Sequence, residues 1–124
     1  MKSLEEITQS LISYKQNIKI EKQTNNKFFV NTGLFFINTG NILPIYLVNY
    51  NGKNYFADYG GTFENLNVEF NKLNLKLKSL IKTKLSDLEV VFDGKTLLME
   101  VIDNYEMGCL NIIICAMMFL QTII

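Results

Sequence analysis

Histidine, arginine and tryptophan are all missing from the 124 residues of this chain, and proline occurs once, at Pro44. Without histidine, the commonest general base and the commonest metal ligand are both gone. Without arginine, no side chain offers a planar fork for bidentate recognition of phosphate, carboxylate or guanine. All twelve cations are lysines, and twelve acids balance them. A formal net charge of zero argues against nucleic-acid binding driven by bulk charge. Cysteine is scarce too, with only Cys109 and Cys115. Six apart on one predicted helix, they stand about 240° apart around its axis and cannot bridge within it. They read as buried free thiols of a reducing cytosol, with no histidine to activate either. Met1 to Ser13 carries acids and lacks the apolar run of a signal peptide, so a cytoplasmic location is expected.

What is present is a 48% hydrophobic chain, too apolar for disorder and long enough to bury a core. No linker interrupts it, and residues 1–124 read as one domain. Ser3-Leu4-Glu5-Glu6 forms a capping box, and Leu4, Ile7, Leu11 and Ile12 continue at helical spacing, which predicts a helix from about Ser3 to Tyr14. Asn17 to Lys22 alternates as a half-buried strand, and Asn25-Asn26 marks a turn. Phe28-Phe29-Val30 and Leu34-Phe35-Phe36-Ile37 read as strands or a bent strand pair, punctuated by Asn31-Thr32-Gly33 and Asn38-Thr39-Gly40. Asn51-Gly52 between Ile45–Tyr50 and Lys53–Asp58 is a hairpin signal, because both central residues of a type I′ turn need positive φ.

After Asp58-Tyr59-Gly60-Gly61, Thr62 is placed to N-cap a short helix through Phe63, Leu66 and Phe70. Asn71 to Leu85 reads as a helix with Leu73, Leu77, Leu80, Ile81 and Leu85 on its apolar face. A second hairpin, Leu88 to Phe92 and Thr96 to Ile102, turns at Asp93-Gly94. Asp103 and Glu106 form a second capping box, opening a final helix to the end of the chain. Met107 to Ile124 is nearly all apolar. At about 27 Å it falls short of a ~30 Å hydrocarbon core, and Asn111 interrupts it. It is predicted to be a core helix or a homodimer interface rather than a membrane span. The whole predicts an α+β fold, an antiparallel sheet of four to six strands with the helices packed mainly on one face.

The stretch Lys53-Asn54-Tyr55-Phe56-Ala57-Asp58-Tyr59-Gly60-Gly61-Thr62-Phe63-Glu64-Asn65-Leu66, set in this order of elements, resembles a bacterial and phage family known only as domain of unknown function family 1828. That family has a strand closing on Asp-Asp-Gly, a short Thr-initiated helix, a longer helix, a hairpin and an apolar C-terminal helix. The likeness runs over most of the chain, with Tyr59 where the family has its second Asp. The resemblance implies the fold and a phage or mobile-element setting, and no assigned reaction.

Candidate chemistry is sparse. Asp58 with Tyr59, Gly60 and Gly61 is either turn and cap chemistry or the centre of a metal-dependent hydrolase or nuclease. The phosphate-loop patterns are absent. Charge is segregated: Phe70 to Leu85 has five lysines and no acid, whereas Ser86 to Glu106 has six acids and one lysine. Lys72, Lys76, Lys78 and Lys82 are candidates for phosphate or an acidic surface. Asp87, Glu89, Asp93 and Glu100 are candidates for a basic protein partner. Phe28, Phe29, Phe35, Phe36, Tyr46, Tyr50, Tyr55, Phe56 and Tyr59 make an aromatic-rich sheet, read as core and cross-strand packing, with base stacking as the alternative. No catalytic, cofactor or metal constellation is expected. The leading expectation is a non-catalytic protein-binding module, in its sharpest form a phage-encoded inhibitor of a host defence complex such as an anti-CRISPR protein. A nucleic-acid-binding accessory protein and an Asp58-centred hydrolase are the alternatives.

Overall fold

In a computed structural model, which describes residues 1–14 and 17–124, four helices pack against a six-stranded antiparallel sheet. The strands are β1 (Lys19–Thr24), β2 (Lys27–Asn31), β3 (Ile45–Tyr50), β4 (Lys53–Ala57), β5 (Val91–Phe92) and β6 (Leu97–Glu100), in the order β1-β2-β3-β4-β6-β5. The helices are α1 (Leu4–Tyr14), α2 (Gly61–Leu66), α3 (Leu75–Asp87) and α4 (Glu106–Ile123).

Local signals are realised where nothing distant competes. The Glu6 amide donates to Ser3 Oγ at 3.1 Å and the Ser3 amide donates to Glu6 Oε1 at 3.0 Å, which closes the predicted capping box. Asn51 and Gly52 take φ of 51° and 78° between β3 and β4, as a type I′ turn requires. Period-two alternation then sorts the sheet. Phe28, Val30, Ile45, Leu47, Phe56, Leu97 and Met99 point to the helical side and join a core with Ile7, Leu11, Leu110, Ile113 and Met117. The predicted α+β architecture, with helices on one face, is the observed one.

Several boundaries differ from expectation. Leu34–Ile37 is not a strand: one bridge, Phe35 to Ile42, holds a loop whose Phe36 and Leu43 drop into the core. β1 is an edge strand in which the expected alternation holds at the start, with Ile18 just before it buried and Ile20 half-buried, whereas Glu21 to Thr24 are exposed. The central helix begins at Leu75 rather than Asn71, because Asn74 accepts the Leu77 amide at 2.8 Å and caps it there. Phe70 lies beyond α2 in a single 3-10 turn, Phe70–Lys72. Asp93-Gly94 does not form a two-residue turn. Asp93 Oδ1 accepts the amides of Lys95 and Thr96 at 2.9 and 2.7 Å, closing a wider loop.

The second capping box does not form either. Glu106 is buried at the start of α4 and takes the Lys2 ammonium at 2.9 Å, while Asp103 accepts the Lys2 amide at 3.3 Å on each oxygen. Asn54 Nδ2 donates to the Lys2 carbonyl at 2.8 Å. The amino end is thus tied to the start of α4 and to β4. α4 has the length and apolarity of a membrane span, but it packs on β6 and α1 and buries Cys109, Leu110, Ile113, Ala116, Met117 and Leu120. Cys109 is buried and Cys115 is exposed, as their angular separation dictates; the expectation of two buried thiols holds for the first alone.

Candidate functional site

Asp58 follows the last residue of β4. Its carboxylate Oδ1 accepts the Leu97 amide at 2.8 Å and the Gly60 amide at 3.0 Å, and Oδ2 accepts the Thr62 amide at 3.3 Å. The Asp58 amide donates in turn to the Leu97 carbonyl at 3.2 Å. The side chain therefore extends the β4–β6 ladder by one step while holding the first turn of α2. Thr62, expected as the N-cap, lies inside the helix; Gly60 is the capping residue and Asp58 supplies the acceptor. Burial pushes the Asp58 carboxyl above its ordinary value, and the Leu97, Thr62 and Gly60 donors pull against that rise.

Asp58-Tyr59-Gly60-Gly61 is a turn closed by the Gly61 amide on the Asp58 carbonyl at 2.9 Å. Its central residues have φ of 52° and 76°, the sign a type I′ turn demands. Glycine meets that demand freely, whereas a tyrosine in the left-handed region costs about 1–2 kcal/mol. Tyr59 is half-exposed, its ring edge-on to Tyr46 at 5.2 Å. Gly61 answers a different need: a Cβ there would stand 2.5 Å from Pro44 Cγ.

The charged candidates are dispersed. Lys72 pairs with Glu69 at 3.4 Å beside α3. Lys76, Lys78 and Lys82 are on α3, where Lys78 and Lys82 stand about 40° apart but Lys76 lies about 120° from Lys82. Lys82 Nζ rests 5.7 Å from the centre of the Phe70 ring. Among the acids, Asp87 ends α3 and Glu89 takes φ of 59° just after it. Asp93 is held below the usual carboxylate range by the Thr96 and Lys95 amides that it binds. Glu100 is on β6, with Lys53 Nζ at 3.7 Å. Among the described residues, no three acidic or thiol side chains converge as a metal site.

The aromatic set read from the sequence supplies the other side of the sheet, which the sequence did not separate from the core. Phe29, Tyr46, Ala57, Leu98 and Val91 form one row of register partners across β2, β3, β4, β6 and β5. Lys27, Val48, Tyr55 and Glu100 form the next row, and Tyr50 pairs with Lys53 beyond it. None of these side chains belongs to the core cluster. Tyr59 joins them from the turn. Lys27 Nζ lies 4.7 Å from the Tyr46 ring centre and 4.4 Å from that of Tyr59, a cation held between two π faces. A shallow cavity of about 460 Å³ opens here, lined by Lys27, Val48, Tyr50, Tyr55, Tyr59 and Leu98 among others. The aromatic set of the sequence is thereby divided: Phe28, Phe36 and Phe56 are core, Phe35 is exposed in the loop, and Phe29, Tyr46, Tyr50, Tyr55 and Tyr59 serve the open side. Alternation could have signalled two faces, but not which of them the helices cover.

Comparison of the chain with protein-family models, with curated proteins and with solved structures found no match.

Proposed function

We propose that the protein is a non-catalytic protein-binding module whose partner docks on the open face of the sheet. One observation carries this reading: a contiguous patch of tyrosines and aliphatic side chains, with Lys27 inserted among them, lies over β2, β3, β4 and β6 with no helix of the described residues above it. Contiguous apolar surface of this kind marks interaction sites. Tyrosine is the residue that interfaces favour, since it gives large area at small entropic cost. Tyr59 adds support, because a strained backbone that displays one side chain is maintained for a purpose other than stability.

The alternatives are weaker on the same grounds. The commitment of both Asp58 oxygens to backbone amides weighs against a hydrolase centred there. The spread of the lysines around α3 weighs against a helix that tracks a phosphate backbone. The narrower form of the proposal is an inhibitor of a host defence complex of the anti-CRISPR kind, acting by steric contact in the host cytoplasm.

The test is affinity capture from host lysate at moderate salt, with wild-type protein and with the Tyr46→Glu and Leu98→Glu variants in parallel. A stoichiometric protein complex captured by the wild type and lost with both folded variants is the expected result. Equal capture by all three would remove the open face from the proposal. Recovery of nuclease-sensitive nucleic acid alone would replace the proposal with the lysine-helix reading.

A further inference from the structure

Resting on the reading of the open sheet face as an interface, we infer that this face binds a second copy of the chain, through a two-fold axis that lies between the two sheets and runs along the strands between β3 and β4. The pattern of the rows is what selects this occupant. A two-fold axis in that position sets β2 of one copy over β6 of the other, and β3 over β4. In the first row, Phe29 then meets Leu98, and Tyr46 stands over the position of Ala57, whose side chain is already buried within its own copy. In the second row, Tyr55 lies opposite Val48, which is buried within its own copy, and Lys27 at one end meets Glu100 at the other, twice over. Beyond them Tyr50 meets Lys53. Aromatic opposes aliphatic, cation opposes anion and aromatic opposes cation, each pair formed twice, as an isologous contact requires.

The charges are also available. Lys27 has no carboxylate partner among the described residues and is held by the rings of Tyr46 and Tyr59. Glu100 has only the Lys53 ammonium at 3.7 Å, and about half of its side chain is exposed. Packed sheets cross at about 30°, which offsets contacts most at the ends of a row. Those ends are occupied by Lys and Glu, whose length spans such an offset. The patch covers about three strand spacings, roughly 14 Å. That is a small interface, so association in the micromolar range is expected rather than an obligate dimer.

Sedimentation equilibrium from about 1 μM to about 1 mM protein tests the inference, the range being set by the small interface. The wild type is expected to reach twice the monomer mass. Lys27→Glu and Glu100→Lys, each alone, place like charges opposite one another at both symmetric positions and raise the dissociation constant at least about tenfold. An equimolar mixture of the two variants sets each new charge against its opposite, and dimer is expected to return. A monomeric wild type throughout the range overturns the inference. So does a dimer indifferent to both charge changes and to Leu98→Glu, which would place the contact elsewhere, such as on α4. So does a mixture that fails to recover. A monomeric wild type that still captures a partner sensitive to Tyr46→Glu removes the dimer and leaves the proposed function standing. A dimer that responds as described, with no partner captured, supports the inference and removes the proposed function.

Discussion

Replacing Asp58 by asparagine separates a structural carboxylate from a chemical one. The two side chains have the same shape, so packing is preserved. Asparagine keeps one oxygen, which can go on accepting the Leu97 and Gly60 amides. Its amide nitrogen then replaces Oδ2 and points a donor at the Thr62 N–H. The Thr62 N–H loses its acceptor and the new amide brings N–H donors of its own, at a cost of about 1–3 kcal/mol for a buried donor left unpaired. Release of a buried charge offsets part of this, so about 1–2 kcal/mol of net destabilisation is expected for Asp58→Asn. Asp58→Ala strands all three amides, and about 3–5 kcal/mol is expected once partial entry of water is allowed for. Urea unfolding reads both changes, with the midpoint moving and the slope unchanged. For a domain of this size, each kcal/mol also lowers the melting temperature by about 3–6 °C. If Asp58→Asn were neutral or stabilising while activity or binding vanished, the carboxylate would be a functional group kept at the expense of stability, and its assignment as a ladder and helix-start acceptor would be wrong.

Tyr59→Asn relieves the left-handed strain, since asparagine tolerates that region; stability should hold or rise by up to about 1 kcal/mol while binding through the open face weakens, as paired melting and capture experiments would show. Gly61→Ala forces a methyl into the Pro44 ring, and a loss of about 1–3 kcal/mol in chemical denaturation is expected; an unchanged midpoint would mean that the approach is looser than 2.5 Å implies. For Glu106, burial raises the carboxyl, but the Lys2 hydrogen bond and the other donors around it outweigh burial and hold it below its ordinary value of 4.5. A carboxyl depressed on folding stabilises above its unfolded pKa and loses that contribution as pH falls through the folded value. The gap in urea midpoint between wild type and Glu106→Gln should therefore be widest near neutrality and close below about pH 4.5; a gap independent of pH would count against the pair.

The elements legible in the sequence are those whose instructions are local. Ser3 and Glu6 satisfy each other within one turn, and Asn51-Gly52 needs only its own two dihedrals. Errors arise where a distant group outbids a neighbour. Asp103 and Glu106 look like a capping pair until Lys2 takes both. Thr62 looks like an N-cap until Asp58 reaches its amide first. Leu34–Ile37 has strand composition, yet Phe36 is worth more in the core than in a ladder. The candidate surface was half legible. Its tyrosines were visible as a group, but Tyr46 and Phe56 carry the same signal in one dimension. Only the placement of α1 and α4 decides that one is buried and the other displayed.

The bonds made by Lys2 reach residues 101 and 104 positions further along the chain. A ribosome that has just delivered α1 has therefore delivered a helix whose main partner does not yet exist. The apolar side of α1 and the inner side of the sheet have to wait uncovered until α4 emerges. Folding is then expected to finish as a late, all-or-none event once α4 has emerged. In the interval, the nascent protein depends on whatever in the cell shields unfinished hydrophobic surface.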